Sequence, residues 1–214
     1  MVDLVSELRR LRILPVIVID EPRNAIPLAQ ALLDGGLPCA EITFRTPRAD
    51  EALRMIAQEC PSILLGAGTV LTLEQAARAC DAGARFIVTP GFNPEVVDFC
   101  LEKGVTLFPG VCTPTEVDAA LRRGVNVLKF FPAEAMGGAS FLKAISAPYS
   151  MVEFIPTGGI NLTNLAAYLS LGNVVACGGS WLVSREWVRT GDFGRIRKET
   201  ELAVQAARQF TGGM

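Results

Sequence analysis

The chain has 214 residues, half of them hydrophobic and a fifth charged, with a net charge of −2. That suits one folded domain spanning residues 1–214 and excludes a disordered chain. The near-neutral balance gives no electrostatic reason to expect nucleic acid or an anionic membrane as partner, and no apolar window reaches the roughly 18 residues of a membrane helix.

Histidine is absent altogether. Its absence excludes Ser-His and Cys-His nucleophiles and histidine-ligated zinc, and leaves acid–base work to Glu, Asp, Lys, Tyr or water. The six cysteines, Cys39, Cys60, Cys80, Cys100, Cys112 and Cys177, form no C-x-x-C pair. They read as small buried hydrophobes rather than disulfides or metal ligands. No metal and no cofactor is expected.

In chain order, "MVDLVSELRRLR" comes first. It is amphipathic and charged, with no continuous apolar run of the kind a secretory signal carries, so a cytoplasmic location is expected. It predicts a helix packed over one end of the fold. Eight apolar or β-branched runs follow, starting at Ile13, Ala40, Leu64, Phe86, Thr106, Val127, Glu153 and Val174. Stretches with helical spacing, such as "NAIPLAQALLDGG" and "EVDAALRRG", lie between them. Thr72 to Gln75 and Thr113 to Glu116 read as capping boxes, the second with Pro114 at the first helical position. Gly83, Gly104 and Gly124 stand where helices should stop. The closing "TGGM" is expected to fray.

Strand and helix alternating in this way require parallel pairing through crossover helices. Eight units point to a closed (β/α)8 TIM barrel with an extra N-terminal helix. An open doubly wound sheet is the alternative, but it favours a G-x-G-x-x-G turn after the first strand, and "VIVIDEPRN" has none.

In a barrel the ends of the strands and the loops after them carry the chemistry. Alternation puts Glu41, Thr43 and Arg45 on one face of the second strand and Lys129 with Phe131 on one face of the sixth. If those faces point inward, a carboxylate, a guanidinium and an amine converge. Glu41 and Lys129 could instead be a buried ion pair, yet such pairs seldom improve on apolar packing. Desolvation between Phe130 and Phe131, with repulsion from Arg45, favours the neutral amine that attacks a ketone and forms a Schiff base. Glu41 can then shuttle protons, and Arg45 can grip the carboxylate of a 2-keto acid. "PTGGI" and "CGGSW" end the seventh and eighth strands, where barrel loops frequently hold phosphate on bare backbone N–H groups. Tight turns alone would also explain either pair of glycines.

From about Leu14 to Phe193 the chain resembles the 2-keto-3-deoxy-6-phosphogluconate aldolases, class I aldolases of the Entner–Doudoroff pathway. The motifs that carry this are "LPVIVI", "EITFRT", "GAGTVL", "TPGFNPEV", "PGVCTPTEV", "KFFPAEAMGG", "PTGGI" and "GGSWL". The resemblance implies a Schiff base on Lys129 and acid–base work by Glu41. It implies Arg45, Thr69 and Thr157 at the keto-acid carboxylate, and Pro90 and Phe131 as pocket walls. It puts Gly158, Gly159, Gly179 and Ser180 at the phosphate. The expected reaction releases pyruvate and glyceraldehyde 3-phosphate from the sugar phosphate, with 4-hydroxy-2-oxoglutarate as a further substrate. An aldolase for the galactonate-derived epimer and a non-catalytic sugar-phosphate-binding barrel are the alternatives. The resemblance also implies a homotrimer.

Overall fold

The computed structural model describes residues 3–210. The terminal "TGGM" expected to fray lies outside the described residues. The strands are β1 (Ile13–Ile17), β2 (Cys39–Thr43), β3 (Leu64–Gly68), β4 (Phe86–Val88), β5 (Thr106–Phe108), β6 (Gly110–Val111), β7 (Val127–Phe130), β8 (Glu153–Pro156) and β9 (Cys177–Gly179). Almost every strand residue is buried, as expected for parallel strands covered on both faces.

The helices are α1 (Leu4–Leu11), α2 (Ala25–Asp34), α3 (Ala49–Glu59), α4 (Leu73–Asp81), α5 (Pro94–Lys103), α6 (Pro114–Leu121), α7 (Gly138–Ser146), α8 (Leu165–Leu169), α9 (Arg185–Thr190) and α10 (Phe193–Arg208). Each strand up to β8 is followed by a helix, except where β5 runs on into β6. Among the described residues no helix is long and apolar enough to cross a membrane.

The helix signals read from the sequence hold in part: α4 and α6 are capped by Ala82 and Arg122, with Gly83 and Gly124 just beyond. Thr113 and Glu116 form the complete reciprocal box at the start of α6. At α4 the Thr72 hydroxyl accepts from the Gln75 N–H at 3.2 Å, but the Gln75 side chain accepts from Leu71 N–H at 2.7 Å. The longer amide reaches one residue past the cap, so that box is not closed. Gly104 caps α5 at φ 65°, a left-handed conformation that glycine adopts without steric cost.

All strand pairs are parallel. A six-stranded sheet has the order β5-β4-β3-β2-β1-β9, and a three-stranded sheet the order β6-β7-β8. The fifth apolar run of the sequence is therefore two strands. Pro109 separates them: it has no N–H for a ladder, so the chain leaves β4 and takes up β7 as its partner. The eighth run is also shorter than expected. Val174 makes only an isolated bridge to Phe154, Thr157 makes another to Gly178, and regular strand begins at Cys177.

Helix α1 packs where the strands begin. Leu8 is buried completely, which contributes about 1.5–3 kcal/mol. Arg9 pairs with Glu153, the first residue of β8. Arg12, just past the helix, sends its guanidinium inward to the carbonyls of Leu169, Val174 and Val175. That leaves the other ends of the parallel strands open for chemistry.

Candidate active site

Glu41 lies in β2 between Val16 of β1 and Gly66 of β3 in register. It is 1% exposed. Space for its carboxylate comes from a neighbour: a Cβ on Gly68 would stand 1.9 Å from Glu41 Oε1. Only glycine fits there. Lys129 lies in β7 between Gly110 and Ile155, with its N–H bonded to Pro109 O at 3.0 Å. It is 4% exposed, and its Nζ stands 3.5 Å from Glu41 Oε1. Two strands that are not neighbours thus bring an amine and a carboxylate together.

Among the described residues no protein group hydrogen-bonds to either oxygen of Glu41; its nearest counter-charge is Lys129. A buried carboxylate left this way is expensive, and buried polar groups are nearly always satisfied. The Lys129 ammonium position also lies 5.3 Å from the centre of the Phe131 ring. Phe130 takes no part in desolvating it. Alternation turns Phe130 to the opposite face, where it stacks on Phe141 of α7 with ring centres 5.9 Å apart.

Arg45 is exposed at the rim and donates from Nε to Thr69 Oγ1 at 3.3 Å. Thr69 follows β3 with φ 54°. A β-branched residue in that region is a genuine outlier, and such outliers gather at functional sites.

A cavity of about 780 Å³ opens beside this group. Arg45, Phe131, Thr157, Gly158, Gly159, Gly179 and Ser180 all line it. Glu41, Lys129, Thr69 and Pro90 do not. Phe131 joins the two groups, since its ring faces both Lys129 and the cavity. Pro90 sits against Gly110, where a Cβ would come within 2.2 Å of Pro90 O.

Gly158 and Gly159 form the turn after β8 with φ of 106° and 78°. The turn is held from the β7 side: Ala133 N–H and Glu134 N–H donate to the carbonyls of Thr157 and Gly158. The Glu134 carboxylate in turn accepts from the buried Tyr168 hydroxyl, whose pKa is raised by burial and by that bond.

Some of this was not read from the sequence. Gly68, Trp181 and Arg185 lay inside or beside quoted motifs without a role. The alternating glycines of "GAG", next in the sheet to a strand bearing Glu41, were the available signal for Gly68. Trp181 lines the cavity from the loop after β9, and Arg185 from the start of α9. Among the described residues no group of three or more His, Cys, Asp or Glu could hold a metal ion.

A buried amine 3.5 Å from a buried carboxylate, joined to an open cavity through Phe131, suits an α/β enzyme that works by covalent and acid–base chemistry. A family model described as KDPG and KHG aldolase matches residues 4–199. A Treponema pallidum protein named 2-dehydro-3-deoxy-phosphogluconate aldolase is 48% identical, over 96% of this chain and 98% of its own. The solved KDPG aldolase of Legionella pneumophila, with pyruvate captured as a covalent carbinolamine, superposes with a TM-score of 0.90 at 40% identity, covering 94% and 97% of the two chains. The Zymomonas mobilis 2-keto-3-deoxy-6-phosphogluconate aldolase, solved with 3-phosphoglycerate, gives 0.87 at 36% identity over 94% of each chain. This chain belongs to the KDPG and KHG aldolase family.

Proposed function

We propose that this enzyme is a class I aldolase that cleaves 2-keto-3-deoxy-6-phosphogluconate to pyruvate and glyceraldehyde 3-phosphate, and 4-hydroxy-2-oxoglutarate to pyruvate and glyoxylate. The observation that carries the reading is the Lys129–Glu41 pair, both side chains at most 5% exposed, 3.5 Å apart, with both carboxylate oxygens unpartnered. The neutral Lys129 amine attacks the C2 ketone, and loss of water gives a protonated imine. A base takes the proton of the C4 hydroxyl, and the C3–C4 bond breaks with its electron pair drawn into the enamine. The aldehyde leaves, C3 takes a proton, and water releases pyruvate from Lys129. Glu41, within reach of the amine, moves these protons directly or through water.

Arg45 forms a fork for the substrate carboxylate, with Thr69 and Thr157 beside it. Pro90 and Phe131 wall the keto-acid end. Gly158, Gly159, Gly179 and Ser180 take the phosphate, on backbone N–H groups and one hydroxyl.

The same reading extends to architecture. We take the two sheets as one closed (β/α)8 barrel, supported by the run through Pro109 at one seam and the two isolated bridges at the other. Residues 1–214 then form a single catalytic domain, a homotrimer in the cytoplasm, and sedimentation checks the assembly.

Pyruvate with borohydride should add one reduced pyruvate to the intact mass, mapped to Lys129. Lys129→Arg should prevent it, because a guanidinium stays protonated and forms no imine. An adduct on Lys143 or Lys103 instead would overturn the assignment. Ser180→Ala should lower kcat/KM for the phosphorylated substrate about ten- to a hundredfold, the worth of a hydrogen bond to a charged acceptor. It should leave 4-hydroxy-2-oxoglutarate cleavage almost unchanged.

A further inference from the structure

Arg185, the first residue of α9, lines the same cavity as Ser180 and Gly179. Apart from Arg45 it is the cation of that lining. The proposed phosphate grip otherwise consists of neutral groups, two glycine turns and the hydroxyl of Ser180. A phosphate carries close to two negative charges, and a planar fork of N–H donors suits it.

Arg185 is not idle in the structure. It makes a two-pronged pair with Asp20 on the loop after β1, Nε to Oδ2 at 2.8 Å and Nη2 to Oδ1 at 2.6 Å. The Arg185 side chain is 65% exposed and that of Asp20 is 30% exposed. An exposed pair of this kind is worth little, so exchanging one anion for another costs little. Asp20 itself responds to the pair: the hydrogen bond from Arg185 lowers its pKa. The carboxylate is therefore charged at neutral pH and competes with any incoming anion for the same fork.

We infer that Arg185 determines specificity for phosphorylated substrates, with Asp20 as a resident anion that the substrate phosphate displaces from the guanidinium. The inference rests on the proposed phosphate site and adds a charge to it. Asp20 and Arg185 form a gate in energy rather than in space: the free site keeps its cation neutralised, and a dianion recovers it.

The test compares two variants on two substrates, 2-keto-3-deoxy-6-phosphogluconate and 4-hydroxy-2-oxoglutarate, in the full-length enzyme. Arg185→Ala should raise KM for the phosphorylated substrate about three- to tenfold, the range for one partly exposed charged contact, with the unphosphorylated one unchanged. The wild-type preference for phosphate should fall as salt rises, and that slope should flatten in the variant. Asp20→Asn should act in the opposite direction and lower KM for the phosphorylated substrate. If both variants lose activity together, the pair is only a brace between two loops and the inference fails. It also fails if Arg185→Ala affects both substrates equally or neither. Ser180→Ala separates the two levels. Should Ser180→Ala discriminate between the substrates while Arg185→Ala does not, only the role of Arg185 is lost. Should neither discriminate, the phosphate site itself is elsewhere.

Discussion

Arg12 and Lys129 are both buried cations, 8% and 4% exposed, near opposite ends of the strands, and the fold treats them differently. Arg12 is satisfied by backbone: its Nη1 donates to Val174 O and Val175 O, and its Nη2 to Leu169 O at 2.9 Å. Burial lowers its pKa, yet arginine keeps its proton in proteins. Only its Nε lacks a partner. Lys129 faces the Glu41 carboxylate at 3.5 Å, and among the described residues no protein group hydrogen-bonds to either of its oxygens. A cation that serves structure is surrounded by acceptors. A group that must gain and lose a proton is left short of them.

The sharpest way to break this contrast is to remove each cation. Lys129→Met keeps length and removes the amine, so turnover and pyruvate trapping should disappear. Removing one partner of a buried pair leaves the other charge uncompensated, so stability should fall by about 3–5 kcal/mol, and adding Glu41→Gln should restore most of it. Measured unfolding together with turnover decides it. Turnover and a pyruvate adduct that survive in the folded variant would make Lys129 a structural group after all.

Next in size is Glu41→Gln, which preserves shape but removes the base. Turnover should fall by about two to four decades, the contribution of a general acid–base group. Pyruvate trapping should slow with it, since imine formation also moves protons. An unchanged cleavage rate would remove Glu41 from the mechanism and leave its unpartnered oxygens without a purpose.

These two residues were legible in the sequence because a local rule was broken. A lysine inside "VLKFFP" and a glutamate inside "AEITF" contradict the apolar pattern around them, and conflict of that kind marks function. The strand runs were legible by the same pattern. Arg12 was not. Its carbonyl partners lie more than 150 residues away in the chain, as the separation of 157 to Leu169 shows, and no periodicity reports such a contact. The same contact bears on the eighth run, where Val174 and Val175 give their carbonyls to the guanidinium and regular strand begins only at Cys177. The division at Pro109 was marked locally by a proline, but which sheet each half would join depends on the neighbours β4 and β7. The misreading of Phe130 came from sequence adjacency, when alternation already assigned it to the other face.

Arg12→Met is the structural counterpart. It leaves three carbonyls without their charged donor, so stability should drop by about 3 kcal/mol or more. For a chain of this size that is on the order of 6–12 °C in Tm. The folded fraction should retain its kcat and its pyruvate adduct. A loss of kcat at a temperature where the variant is folded would show that the two ends of the strands are coupled, and the contrast between them would fail.

The smallest effect concerns backbone rather than charge. Arg12 and Thr69 are the two non-glycine residues with positive φ among the described residues, at 64° and 54°. At Arg12 the conformation stops α1 and turns the guanidinium inward. At Thr69 it holds a hydroxyl where Arg45 Nε meets it at 3.3 Å. A β-branched residue there carries about 1–2 kcal/mol of strain, which asparagine tolerates far better. Thr69→Asn should therefore raise stability by about 1 kcal/mol, or roughly 2–4 °C in Tm, while removing the hydroxyl. KM for every 2-keto acid should rise a few-fold, phosphorylated or not, if Thr69 serves the carboxylate end as proposed. Lowered affinity for one substrate type alone would move Thr69 away from the carboxylate. A gain in stability with unchanged kinetics would mean that the strained turn serves the chain path, as at Arg12, and the two ends would differ in charge alone.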